Sequence, residues 1–155
     1  MKQLDELLAD HPLFADLGDD MRRVLAGCGR NEHFGAGNYL FRTGDPAARC
    51  YVVRHGRVAL ELVDAGGRPV VVDTVDPGGI AGLSWLVPPY RWYLDARALE
   101  STSAIALDAS CLRAKCDADP AIGYLLMQRI AREMYGRMQS ARLRMLDIYG
   151  APVDH

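Results

Sequence analysis

Between Lys2 and about Gly29, Leu4, Leu7 and Leu8 recur at spacings of three and four; Pro12 interrupts the run, and Met21, Val24 and Leu25 resume it. This periodicity predicts a short helical preface over 1–30. From about Asn31 to Leu107 the pattern changes to short stretches rich in Val, Tyr, Leu and Ile, punctuated by glycines at 35, 37, 44, 56, 66, 67, 78, 79 and 82. Many short strands with glycine turns predict an antiparallel sandwich or barrel over 31–107. Tyr51 and Val53, then Val58, Leu60 and Leu62, alternate on either side of Gly56, which predicts a hairpin, and Gly66-Gly67 marks the next turn. After Leu107 the helical period returns over 108–149. Asp108 or Ser110 can cap a short helix through Cys116, and Asp119-Pro120 opens a long one, with Pro at the first helical position. That last helix runs to about Tyr149, roughly 45 Å at 1.5 Å per residue. The expected fold is one domain over 1–155, of α+β class and mainly β. It is an antiparallel β-roll or jelly-roll barrel flanked by N-terminal helices and a long C-terminal helix.

The long helix carries two apolar stripes. Tyr124, Met127, Ala131, Met134, Met138, Ala141, Met145 and Ile148 follow a 3-4-3-4 repeat; Leu125, Leu126, Ile130, Leu143 and Leu146 form a second row. One stripe can cover the barrel, and the leftover seam is most cheaply buried against a copy of itself as a parallel two-helix coil. The expectation is a homodimer with Met127, Met134, Met138, Ala141 and Met145 in the seam. The alternative is that both stripes bury inside one monomer. Arg129, Arg132, Arg137, Arg142 and Arg144, set against Glu133 and Asp147, read as a solvated face.

Composition narrows the classes. Eighteen Lys and Arg against twenty Asp and Glu give a net charge of -2, unlike a basic nucleic-acid carrier. Half the residues are apolar and a quarter charged, the balance of an ordinary globular domain. The four Cys, at 28, 50, 111 and 116, fall in no metal or CxxC spacing and read as buried or free thiols in a reducing compartment. No apolar run approaches a membrane span, and the N-terminus is too acidic for a secretion signal, so a cytoplasmic protein with no membrane partner is expected.

Pro12-Leu13-Phe14 followed by a helix, Phe34-x-x-Gly37-x-x-Leu40-Phe41-x-x-Gly44-Asp45, and Tyr51-Val52-Val53-x-x-Gly56-x-Val58 come in a fixed order. With Pro77-Gly78-Gly79-x-x-Gly82 and the Ala98 to Leu107 segment, this order resembles the cyclic nucleotide-binding domain family over nearly the whole chain. The resemblance implies a helix-flanked β-roll that cradles a cyclic nucleotide. In the family a Gly-Glu pair opens a short helix, the Glu accepts the ribose hydroxyl, and an Arg about nine residues later holds the phosphate.

The matching segment here runs from Gly82 to Tyr93. Gly82 is in place and Arg91 is the available cation, but Leu83 stands at the Glu position and Trp85 where a small residue normally admits the phosphate. Losing a charged hydrogen bond to the ribose costs about 1.5 to 3 kcal/mol, enough to weaken cAMP or cGMP without abolishing binding. Arg91 also falls one residue early, which turns a strand side chain to the opposite face unless a bulge absorbs the slip. Gly82, Leu83, Ser84, Trp85, Arg91 and Trp92 are the expected ligand-binding residues. Trp85, Tyr90, Trp92 and Tyr93 either wall a pocket for a flat or apolar effector or pack it shut. Arg91 among those rings would need an anion, a carboxylate or a cation-π contact.

Other chemistries find little footing. His11, His33, His55 and His155 are scattered, reading as surface or turn residues, and no metal is expected. A nucleophile elbow, a P-loop and a dinucleotide turn do not occur, so no enzyme and no cofactor are expected. A helix-turn-helix needs about 60 to 70 residues beyond the long helix, whereas six follow Tyr149, so no DNA is expected as a partner of this chain. The expectation is a non-enzymatic sensor of a small effector, a cyclic nucleotide or another small anion, signalling to a protein partner. Two alternatives stand beside it: a ligand-free dimerisation or docking module, and the effector part of a transcription regulator.

Overall fold

The structure, a computed structural model, describes residues 3–149. Helices α1 (Leu4–Ala9) and α2 (Asp19–Ala26) precede eight strands: β1 (Gly29–Phe34), β2 (Tyr39–Phe41), β3 (Arg49–His55), β4 (Val58–Val63), β5 (Pro69–Val75), β6 (Ile80–Ala81), β7 (Asp95–Ala98) and β8 (Thr102–Asp108). A 3-10 turn (Ser84–Leu86) lies between β6 and β7, and α3 (Ala109–Ala118) and α4 (Pro120–Tyr149) close the fold. Helix, roll, helix is the order that the periodicity predicts. The Asp108 carboxylate caps α3 by accepting the Cys111 N–H at 2.8 Å, and Asp119 accepts the Ala121 N–H at 3.1 Å at the start of α4.

The strands form two four-stranded antiparallel sheets, ordered β1-β8-β3-β6 and β2-β7-β4-β5. Every connection except β4–β5 carries the chain from one sheet to the other, which is the winding of a jelly roll. The hairpin expected around Gly56 is therefore corrected: β3 pairs with β6 and β8, while β4 pairs with β5 and β7. Alternation on both sides of a glycine serves a crossing between sheets as well as a hairpin, and the choice is made by distant partners. Gly56 has φ 92°, and a Cβ there would lie 2.4 Å from Thr102 Oγ1 and 2.5 Å from the Ser101 carbonyl. Glycine alone lets the crossing lie against the start of β8. The β4–β5 hairpin turns through Gly66-Gly67 as expected, with the Asp64 carboxylate accepting the Gly66 and Arg68 N–H groups at 2.9 Å each.

Val52, Val53, Val58, Ile80, Ile105 and Leu107 form the centre of the core, closed at one end by Leu8, Phe14 and Leu25. The first half of α4 seals another side, with Ile122, Leu126 and Ile130 buried at intervals of four. Leu143 and Leu146, expected on that covering stripe, are each 63% exposed. By that point the helix is held to the roll by Arg144, which donates to the Val72 carbonyl at 3.0 Å and approaches Asp73 at 3.7 Å. The solvated arginine face is corrected in the same way: Arg129 pairs with Asp16, and Arg137 and Arg144 reach the roll. Of the seam residues, Met127 packs half-buried on the core, whereas Met134, Met138, Ala141 and Met145 are exposed.

Two further expectations change. Cys28 and Cys111, 83 positions apart, are joined as a disulfide with Cα atoms 5.5 Å apart, so the reading of four free thiols is corrected; Cys50 and Cys116 remain free. Linear spacing carries no signal for a pair brought together by the roll. His11 sits in the turn after α1, but it is buried rather than exposed. His155 and the rest of 150–155 lie outside the described residues.

Candidate functional site

Beside the roll, under the middle of α4, lies a cavity of about 410 Å³. That volume is in the range of small-molecule sites. Its floor is the turn at Gly82, its walls are Phe41 of β2 and Leu60 of β4, and its outer rim is Tyr93. Met134 and Arg137 of α4 form its roof. Gly82 (φ 99°) permits the closeness of this packing, since a Cβ there would meet the Trp92 ring at 2.6 Å. Trp92 in turn stacks on Phe41, with ring centroids 3.8 Å apart and planes 11° from parallel.

Of the expected ligand-binding residues, Gly82, Leu83, Ser84 and Trp92 line this cavity, and Trp85 and Arg91 do not. Arg91 is corrected as a cavity residue. Segments 44–47 and 90–92 run as a short antiparallel ladder: Gly44 donates to the Trp92 carbonyl, Trp92 to Asp45, and Ala47 to Tyr90. Along a strand, neighbouring side chains face opposite ways, so Trp92 turning inward sends Arg91 outward. Arg91 there donates to the Gly44 carbonyl at 2.9 Å. The one-residue slip is not absorbed.

Trp85 leaves the cavity by the other route. Its ring is 1% exposed within the core, and its indole N–H meets no hydrogen-bond partner, lying beside the Cys50 thiol without bonding it. Burial pushes that thiol up to about 12. The aromatic cluster thus divides: Trp92 and Tyr93 wall the cavity, Trp85 fills the core beneath it, and Tyr90 lies under Arg113, whose guanidinium stands 4.5 Å from the ring. Arg113 also donates to the Trp85 carbonyl at 2.7 Å, tying the segment to α3.

The charged group that does line the cavity is Arg137, together with Glu133, which the sequence reading placed with it on a solvated face. Glu133 Oε1 accepts the Ile80 N–H at 2.6 Å and an Arg137 N–H at 2.7 Å, while Arg137 donates to the Ile80 carbonyl. Both backbone polar groups of Ile80 are thereby bonded by one i,i+4 pair from α4. β6 is the edge strand of its sheet, and this clasp meets its open side two residues before Gly82. A signal was available: Glu133 and Arg137 continue the buried row Ile122, Leu126, Ile130, so two charged side chains occupy positions that face the roll.

Among the described residues, no group of three or more His, Cys, Asp and Glu gathers to hold a metal ion, and no helix is long and apolar enough to cross a membrane.

Comparison with known proteins gives the same frame. Over 139 residues the chain is 26% identical to the HTH-type transcriptional regulator Cmr of Mycobacterium tuberculosis, covering 90% of this chain and 55% of the regulator. It spans less than two thirds of the length of the curated relatives it matches. The N-terminal domain of a transcriptional regulator from Streptomyces coelicolor superposes with TM-score 0.67 at 29% identity, covering 86% of this chain and 94% of that one. A cyclic nucleotide-binding domain from Methylobacillus flagellatus shares the fold at TM-score 0.79 and 17% identity, covering 99% and 84%. The model of the cyclic nucleotide-binding domain matches residues 31–119, the roll from the third residue of β1 onward and α3, and the chain belongs to that family.

Proposed function

We propose that the chain is a non-enzymatic, small-molecule-sensing regulatory module in which an effector enters the cavity between the Gly82–Trp92 segment and α4. The observation that carries this reading is that Met134 and Arg137 serve two structures at once. They roof the cavity, and they sit on the helix whose Glu133 and Arg137 clasp Ile80. An effector that displaces either side chain shifts the helix, by no more than its differential affinity for the two helix positions. Beyond the clasp, Met138, Ala141 and Met145 are exposed, and with Met127 and Met134 they are the seam proposed for a homodimer. Unbranched thioether side chains suit a seam that repacks.

A second reading, the effector part of a transcription regulator, is favoured by the match of 90% of this chain to about half of a helix-turn-helix regulator.

Thermal-shift screening of the purified chain tests the sensor. A ligand at 100 times its dissociation constant stabilises the fold by about 2.7 kcal/mol. Sedimentation with and without that ligand is expected to show a dimer whose association changes on binding. A panel of nucleotides, organic anions and uncharged aromatics that leaves the melting point unmoved supports a ligand-free dimerisation or docking module instead, and a monomer at all concentrations removes the seam.

A further inference from the structure

The chemistry of the cavity wall separates ligand classes. Arg137 is the one charged residue lining it among the described residues, and its guanidinium is matched by Glu133 at 2.7 Å. The pair is neutral, and the carboxylate is itself engaged by the Ile80 N–H. No carboxylate lines the cavity, Arg91 is turned out to Gly44, and Ser84 supplies the one side-chain hydroxyl apart from Tyr93 at the rim. A cyclic phosphate diester brought here would add an unmatched negative charge to a largely apolar space, and its ribose would lack a carboxylate acceptor. Burying charged and polar groups without partners is unfavourable. The rest of the lining is mainly apolar: Leu83, Val87, Leu94 and Met134, with the edges of the buried Phe41, Trp92 and Leu60 side chains behind them. The cyclic nucleotide that the family name implies does not fit the residues present.

We infer that this cavity takes an uncharged, mainly apolar molecule. This rests on the sensing function proposed above for the same cavity and names its ligand class.

The test uses the full chain with two probes of one ring skeleton: uncharged N-phenyl-1-naphthylamine and its anionic relative 8-anilinonaphthalene-1-sulfonate. cAMP and cGMP are run beside them, and carbon-13 methionine methyl signals report position. The uncharged probe is expected to bind once per chain, to move the Met134 methyl and not that of Met21 in α2, and to bind more tightly than the sulfonate by about tenfold or more. Met134→Trp, which fills the roof from a half-exposed position, is expected to weaken it by about tenfold or more, whereas Val70→Trp, at an exposed β5 position outside the cavity lining and the seam, leaves it unchanged. A Met134 shift with cAMP, cGMP or the sulfonate at lower concentration than the uncharged probe overturns the ligand class and leaves the sensor standing. Probe binding that ignores Met134→Trp, with no ligand moving Met134, overturns both.

Discussion

At the scale of single residues, burial decides chemistry more than residue type does. His11 Nδ1 accepts the Leu13 N–H at 3.2 Å and Nε2 lies 3.1 Å from the Val53 carbonyl, so the neutral ring with its proton on Nε2 satisfies both. Burial lowers its pKa from 6.5 to about 4, opposed by the Val53 carbonyl and assisted by Arg54. Well above pH 6.5 the ring is neutral folded or unfolded, and its contribution does not vary. As the pH falls from 6.5 toward 4, the unfolded chain takes up a proton that the folded one refuses, and stability is lost; below 4 the loss levels off. Urea unfolding is expected to give about 2 kcal/mol less stability at pH 5 than at pH 7 from this group, and His11→Gln to shrink the difference. In the sequence His11 was one of four scattered histidines, because burial is set by β3, forty-two positions away.

Elements were read well where their signals are local. The Asp108 and Asp119 caps, Pro120 and the Gly66-Gly67 turn are all where short-range pattern places them. Partner choice was not legible. The β3–β4 crossing looks like a hairpin in one dimension, and α4 carries more apolar positions than the roll can cover. The clasp on Ile80 makes α4 and β6 one mechanical unit and supplies a prediction. Glu133→Ala is expected to raise hydrogen exchange of the Ile80 amide by about tenfold or more and to cost about 1 to 3 kcal/mol. Amide exchange measured by NMR, with Ile105 in β8 as the unchanged reference, checks it. An Ile80 amide as protected as before would show that β6 does not depend on the helix.

In the whole molecule, the N-terminal preface and the closing helices are joined covalently. Cys28 follows α2 and Cys111 stands in the first turn of α3, so their bond closes all eight strands into one loop. Restricting an unfolded loop of that length stabilises the fold by about 4.5 kcal/mol in the chain-entropy account. Reduction, or the Cys28→Ser, Cys111→Ser double variant, is expected to lower the urea midpoint accordingly, and equal midpoints would show that the bond adds nothing. The order of helices and strands, the turn glycines, the caps and the family were determined by the amino-acid sequence alone, since periodicity and backbone sterics act over a few residues. The tertiary structure decided which cysteines meet, which sheet each strand joins, and that Trp92 enters the cavity while Trp85 and Arg91 leave it. It also brought Glu133 and Arg137 onto Ile80, 53 and 57 positions away. Those outcomes depend on how two sheets and a helix stack, and a contact between residues so far apart leaves no periodic trace along the chain.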